Sequence, residues 1–336
     1  MWNWSFICIR VFLISSIPTS FPLPVVFSAV FIKDAFKFSE WGILVFDIIK
    51  DMKELDFINI IKSQTNNEFL GDDCAYLKEL GIVITQDNFV EGVHFKREWA
   101  TPFQIGYKAA AVNISDILAS GAKPEYITVG LSIPNDVDGN FIKEFYRGLE
   151  KGAYGAKVCG GDITGADKIF VSIAAIGSDK GRRISSRRFA KPGYAVITCG
   201  EYGLSSKGLH ELIHGKKSSP CIAAHLEPKL NPGFSEQISV KIKNNYAMMD
   251  TSDGLADALY KIAEASGCTI EAGYIDGMFG AEDYNLVAAV PAEFLKEIED
   301  YYTIGTVKDY EGCYLRIGNK KYLSYDELGL YNHFKE

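Results

Sequence analysis

The sequence predicts an α+β (mixed α/β) protein in two domains, on three observations. From Leu80 onward, β-rich runs alternate with helical ones. Near residue 190 the alternation is interrupted by ISSRRFAKPGYAVITCG, where a basic stretch and Pro-Gly precede a new strand. The same mixed style then resumes towards the C-terminus. No short-period repeat and no low-complexity tract is present.

The elements follow in order. MKELDFINIIKSQ opens as an amphipathic helix near Met52, and GIVITQD is a strand ending in an acid. PFQIGYKAAAVNISDILASGAKP is a helix stopped by Gly121, with Pro124 beyond it. YITVGLSIP is a strand and FIKEFYRGLEKGAYGA a helix; AKVCGGD and IFVSIAAIGS are strands separated by a turn around Gly165. Past the break come strand YAVITCG, helix KGLHELIHG, strand YAMMD, helix DGLADALYKIAEASG and strand YNLVAAVP. The expected organisation is 1–51 as an extension outside the fold, 52–190 as one domain and 191–336 as a second.

Composition narrows the function. Hydrophobic residues make up 47% and charged residues 23%, values of a globular protein with a sizeable core. A net charge of -8 leaves no basic excess to neutralise phosphates along a nucleic acid, so nucleic-acid binding is not expected. Seven cysteines without a C-x-x-C pair point to free thiols in a reducing compartment, and hence to a cytoplasmic protein.

The first fifty residues differ from the rest. No charge falls between Arg10 and Lys33, and residues 11–32 are about long enough to span a membrane. Pro18, Pro22 and Pro24 would interrupt a helix there. A membrane anchor and a cleaved signal peptide are the less favoured readings; the favoured one is an appendage, or upstream sequence not normally translated, ahead of a fold that starts near Met52.

Carboxylates recur at the ends of elements: Asp72 and Asp73 in LGDDCAYL, Asp87 in VITQDNF, Asp162 in VCGGDIT, and Asp250 with Asp253 in MDTSDG. Asp116 lies within a helix whose apolar stripe is Tyr107, Ala111, Ile114 and Leu118. Asn113, Asp116 and Ser120, three and four apart, share a separate polar face. Taken singly, each acid has an ordinary reading. Asp253 could cap its helix, Asp162 could belong to a turn, and Asp116 could be solvated. Gathered together, they would repel one another unless cations sat between them. Mg²⁺ takes oxygen ligands and bridges carboxylates to substrate phosphates. The sequence has no G-x-x-x-x-G-K-[ST] loop and no H-R-D or D-F-G set, so a nucleotide handled here would be held through metals on aspartates. The absence of C-x-x-C and H-E-x-x-H disfavours zinc, and the absence of G-x-S-x-G disfavours the simplest serine hydrolase.

These residues resemble the thiamine-monophosphate kinases, within the superfamily of aminoimidazole-ribonucleotide synthetase and selenophosphate synthetase. The resemblance covers about 52–336 and rests on GDDCAYL, ITQDNFVEGVHF, GYKAAAVNISDILASGAKP, CGGDIT, MDTSDGLADAL and FGAEDYNLVAAVP. It implies a two-domain aminoimidazole-ribonucleotide-synthetase-like fold, its N-terminal domain contributing to a β-barrel shared in a homodimer. It implies transfer of the γ-phosphoryl group of ATP to thiamine monophosphate, with Mg²⁺ as cofactor. By position, Asp73, Thr85, Asp87, Asp116, Asp162, Asp250 and Asp253 correspond to Mg²⁺ ligands. Gly161, Asp162, Arg187 and Ser252 correspond to ATP contacts, and His94, Glu282 and Tyr331 to contacts with thiamine phosphate. No catalytic general base is expected, because the attacking phosphate oxygen is largely ionised at neutral pH. The sequence departs from the family at Gln86, where threonine is usual, at GAEDYNL in place of Gly-Gly-Glu-Asp-Tyr-Glu-Leu, and in a short stretch between SGCTIEA and GAEDYNL. A related synthetase with another phosphorylated acceptor, and a non-catalytic nucleotide-binding homologue, remain alternatives.

Overall fold

The structure, a computed structural model, describes residues 54–65 and 69–330. The extension 1–51, with its apolar stretch 11–32, and the substrate candidate Tyr331 lie outside the described residues. Among the described residues no helix is long and apolar enough to cross a membrane. Helix α1 (Glu54–Gln64) forms where MKELDFINIIKSQ predicts it.

The first sheet is built from β1 (Ala75–Leu77), β2 (Ile82–Val90), β3 (Lys123–Ile133), β4 (Lys157–Gly165) and β5 (Phe170–Ser178), in the order β1-β2-β5-β3-β4. β3 and β4 run parallel, as a strand pair joined by a helix must, and that helix is α3 (Gly139–Gly152). The other pairs are antiparallel. β3 starts earlier than YITVGLSIP suggests and includes Pro124. The ladder absorbs the missing N–H there through a register irregularity between Pro124 and Tyr126.

Helix α2 (Pro102–Ala119) packs on this sheet. A capping box starts it: the Thr101 hydroxyl accepts from Gln104 N at 3.3 Å and the Gln104 side chain accepts from Thr101 N at 3.0 Å. Every residue from Ile105 to Ser115 is buried, so the helix is enclosed on all sides. Against α3 the backbones approach so closely that a Cβ on Gly106 would stand 2.0 Å from Phe145 O, and one on Gly148 1.8 Å from Phe103 O. That contact fixes α2 as a rigid beam beneath the site.

The second sheet comprises β6 (Tyr194–Thr198), β7 (Ala247–Asp250), β8 (Thr269–Ala272), β9 (Leu286–Pro291), β10 (Tyr302–Lys308), β11 (Leu315–Ile317) and β12 (Lys320–Tyr322), ordered β12-β11-β8-β10-β6-β9-β7. Helices α4 (Leu204–Ile213), α5 (Pro220–Leu226), α6 (Pro232–Lys241) and α7 (Leu255–Ser266) accompany it. Strands β1, β8, β10, β11 and β12 and helices α5 and α6 go beyond the sequence reading. Most are too short to carry a period, and β10 contains Gly305 at a register shift. The six described cysteines are all free thiols.

Candidate functional site

Four chain segments deliver carboxylates to one place. Asp73 precedes β1, Asp87 lies on β2, Asp116 on α2 and Asp250 at the end of β7. Ligand oxygens of Asp73, Asp116 and Asp250 lie within 4.8 Å of one another. Each is held by a local donor. Thr85 Oγ1 donates to Asp116 at 2.6 Å, Ser115 Oγ to Asp250 at 2.7 Å, Ser252 Oγ to Asp250 at 3.2 Å, and Arg187 Nη2 to Asp73 at 2.6 Å. The Asp87 backbone N–H donates to Asn113 Oδ1 at 2.9 Å, which ties β2 to the same face of α2. Asn113 and Asp116 thus share the polar face that their spacing predicts, and that face is buried at Asn113 and half-buried at Asp116 rather than freely solvated.

The electrostatics are those of carboxylates crowded together. Burial first, then Asp87, Asp250 and Asp73, push the Asp116 carboxyl well above the ordinary range, against the hydrogen bond from Thr85. Asp250 is pushed up to about 7 by burial and by Asp73 and Asp87, with Ser115 opposing. Arg187 offers only partial relief: it is paired to Asp73, and its Nε is buried without a partner. Burial lowers its affinity for a proton, but Asp73, Asp250 and Asp72 overcome this and keep it charged. A cluster of hard oxygen donors with excess negative charge fits a divalent cation such as Mg²⁺ better than a softer metal.

Other sequence candidates sit apart from this trio. Asp162 and Gly161 are exposed on β4, the edge strand. Asp253 does not cap α7, whose N-cap is Gly254 with no side-chain cap; its carboxylate instead meets Lys261 Nζ at 3.1 Å. Asp72, passed over in favour of Asp73, accepts from Ser186 Oγ at 2.9 Å and Arg187 N at 2.7 Å, which anchors the turn carrying Arg187.

A second polar centre gathers around Glu282. Its carboxylate faces Lys108 Nζ at 3.2 Å and His225 Nδ1 at 3.4 Å. Glu282 holds a left-handed backbone, φ 65°, an uncommon conformation for a residue with a Cβ. The loop enforces it: Glu282 N donates to Ser252 O at 2.7 Å, Asp283 accepts from Gly203 N and Ser205 N, and Asn285 Nδ2 donates to Glu201 O. Burial acts to raise the Glu282 pKa, but Lys108, His225 and His94 outweigh it and hold the group ionised. His94, whose Nδ1 accepts from Val90 N at 3.0 Å, stacks on Phe89 with ring centres 5.6 Å apart. His94, Phe89, Phe95, Trp99, Lys108 and His225 line one cleft.

Sequence reasoning did not single out Ser115, Lys108 or His225. Ser115 adjoins Asp116 in NISDIL and could have been found by its position. A lysine in an otherwise apolar helical run, GYKAAAV, was the signal for Lys108. Nothing local marks His225.

Comparison with known proteins follows the same lines. Residues 71–178 match the AIR synthase related protein, N-terminal domain, family. The chain is 30% identical to the thiamine-monophosphate kinase of Aquifex aeolicus over 297 residues, 80% of this chain and 95% of that protein. It is 33% identical to the thiamine-monophosphate kinase of Bacillus subtilis over 279 residues, 72% of this chain and 85% of that protein. Among solved structures, AaThiL complexed with AMPPCP and TMP superposes with a TM-score of 0.75 at 28% identity, covering 84% of this chain and 98% of that one.

Proposed function

Because the chain belongs to the thiamine-monophosphate kinase family, we propose that it transfers the γ-phosphoryl group of ATP to the phosphate of thiamine monophosphate, giving thiamine diphosphate by in-line displacement. The observation that carries this reading is the convergence of Asp73, Asp116 and Asp250 within 4.8 Å, short of positive charge. AaThiL, bound to AMPPCP and TMP, supports the choice of both reactants.

Asp73, Asp116 and Asp250 would hold Mg²⁺, with Asp87, Thr85, Asp162 and Asp253 as further ligands drawn from the same motifs. Mg²⁺ bound there supplies the charge that lets two phosphate chains approach each other. Arg187, already turned to Asp73, has a forked guanidinium suited to a phosphate oxygen of ATP, alongside Ser252, Gly161 and Asp162. Glu282 and His94 line the acceptor side, and the ionised Glu282 complements the cationic thiazolium of thiamine. No side chain needs to remove a proton, since a phosphate monoester is mostly dianionic above its second pKa of about 6. The residues act by positioning and by fixed charge.

Two finer points belong to the same proposal. All nine residues of β4 are exposed, and among the described residues the strand has no partner on one ladder edge. An uncovered edge of that length suits pairing with a second copy, so a homodimer with Gly161 and Asp162 beside the seam is the favoured assembly. Use of ATP and the free thiols fit a cytoplasmic protein.

The test is direct. Purified protein with ATP and thiamine monophosphate should release ADP and thiamine diphosphate only when Mg²⁺ is present. ADP release with other phosphate monoesters, but not with thiamine monophosphate, would move the chain to a different acceptor. Absence of any ADP with Mg²⁺ present would end the reading.

A further inference from the structure

Lys108 is a cation in an unusual place. It sits near the middle of α2, and its side chain is only 3% exposed. An ammonium carries three N–H donors. Here Nζ stands 3.2 Å from Glu282 Oε1 without the alignment of a hydrogen bond, and it has no other partner among the described residues. On the far carboxylate oxygen, His225 Nδ1 lies at 3.4 Å and is also 3.0 Å from Ser205 Oγ. The imidazole is kept neutral, its pKa lowered to about 4 by burial and then by Lys108, against the pull of Glu282. Lys108 is therefore the ammonium that faces Glu282 at close range among the described residues; burial lowers its pKa and Glu282 opposes this, while His94 faces the carboxylate from beyond ion-pair distance.

We propose that Lys108, backed by His225, is a positioning residue of the acceptor site, which keeps Glu282 ionised and held beside the cleft that Lys108, His225, Phe89, His94 and Trp99 line. The inference rests on the acceptor reading above and deepens it. Glu282 has two reasons to turn away or to take up a proton: its left-handed backbone and its burial. The α2 beam, fixed against α3, delivers Lys108 at a set distance and removes both options. The unspent N–H groups of Lys108 leave the pair able to hold Glu282 while substrate binds on its other side. An acceptor with a cationic or N–H-rich ring then meets a formed negative charge.

Steady-state kinetics of the purified enzyme tests this. Lys108→Met should raise KM for thiamine monophosphate by on the order of tenfold, while KM for ATP and kcat change by less than about twofold. Lys108→Arg, which restores the charge, should recover most of the loss. In a Glu282→Gln background the Lys108→Met penalty should fall to within about twofold, because the residue acts through the carboxylate. An equal penalty in both backgrounds, or a fall in kcat with KM unchanged, would overturn the proposal. Should the wild-type protein fail to turn over thiamine monophosphate, only the acceptor reading falls. The positioning role is then read from NMR titration of the Glu282 carboxyl, which should titrate at higher pH in Lys108→Met than in wild type. An unchanged titration would refute it.

Discussion

Two regions of this molecule bury aspartates, and they do so in opposite ways. Around α7, Asp257 is enclosed, but the chain brings its own compensation: Lys261 Nζ at 2.9 Å and the Tyr325 hydroxyl donating at 2.5 Å. Asp253 lies 3.1 Å from the same lysine. At the trio Asp73, Asp116 and Asp250 the charge is left over, and among the described residues only Arg187 pairs with it, on one side. The pKa consequences differ accordingly. Burial raises Asp257, with Lys261 opposing, whereas Asp116 is raised by burial and further by Asp87, Asp250 and Asp73, and Asp250 by burial and further by Asp73 and Asp87. Asp257, enclosed with its own lysine, is part of the fold; the trio, carboxylate against carboxylate, is where the proposed function places a cation.

The sharpest way to break the comparison is to neutralise one member of the trio. Asp250→Asn should lower turnover by on the order of 10²–10³-fold, the loss expected when one fixed electrostatic contact to a transferring group disappears. The metal-free variant should nevertheless melt higher than wild type, because the change relieves repulsion; the carboxamide oxygen still accepts from one of Ser115 and Ser252, and its NH2 can donate to the hydroxyl of the other. Loss of activity with lower thermal stability would mean that the trio is ordinary structure.

How far this contrast was legible beforehand depends on the element. The long elements announced themselves: α2, α7, β5 and β9 carry clear apolar periods or unbroken apolar runs. Asp73 and Asp250 could be read because each stands at an element junction near glycine or serine, Asp116 because it lies on a separate polar face of its helix, and Asp87 because it closes the apolar run of GIVITQD. A set of acids without nearby bases invites a cation. The trio's companions were harder. Ser115 and Lys108 lie on an enclosed helix, where a polar residue has no local signature beyond being out of place. His225 meets Glu282 only because α5, seven residues long, happens to end beside the 282–285 loop. Asp253 illustrates the reverse: next to a helix start it reads as a cap, yet Lys261, eight residues on, claims it. Pairing across an edge such as β4 is also silent in the sequence, since period two is the same whether a strand is flanked on one side or both.

A substitution on the compensated side gives a smaller effect of a different kind. Lys261→Met should destabilise the protein by about 1–3 kcal/mol, the cost of leaving a buried polar group without its partner. Urea unfolding would show a lower midpoint with an unchanged slope. The response to Mg²⁺ should survive, because Asp257 is not one of the trio. If Lys261→Met instead abolished Mg²⁺ stabilisation, the two regions would be one site, and the distinction drawn between them would be wrong.

The smallest effect is the most discriminating, because it reads the leftover charge itself. Asp250 has a pKa near 7 in the folded protein against an ordinary 3.8, so between those values the folded state binds more protons than the unfolded one. Stability of the metal-free protein must then fall as pH rises through that window, and the contribution is spent above about 7. Asp257 is raised as well, so the slope alone does not identify the trio. Mg²⁺ does: bound at the proposed site it would favour the ionised form of Asp116 and Asp250 and leave Asp257 with Lys261. Melting curves at about pH 5 and pH 8 should therefore show a decline of a few degrees without metal, at roughly 2–4 °C per kcal/mol for a chain of this size. Excess Mg²⁺ should remove most of that decline by stabilising the protein more at the higher pH. Asp250→Asn should show a shallower slope and little response to the ion. Parallel melting curves with and without Mg²⁺ would mean that the negative charge of the trio is already balanced within the fold.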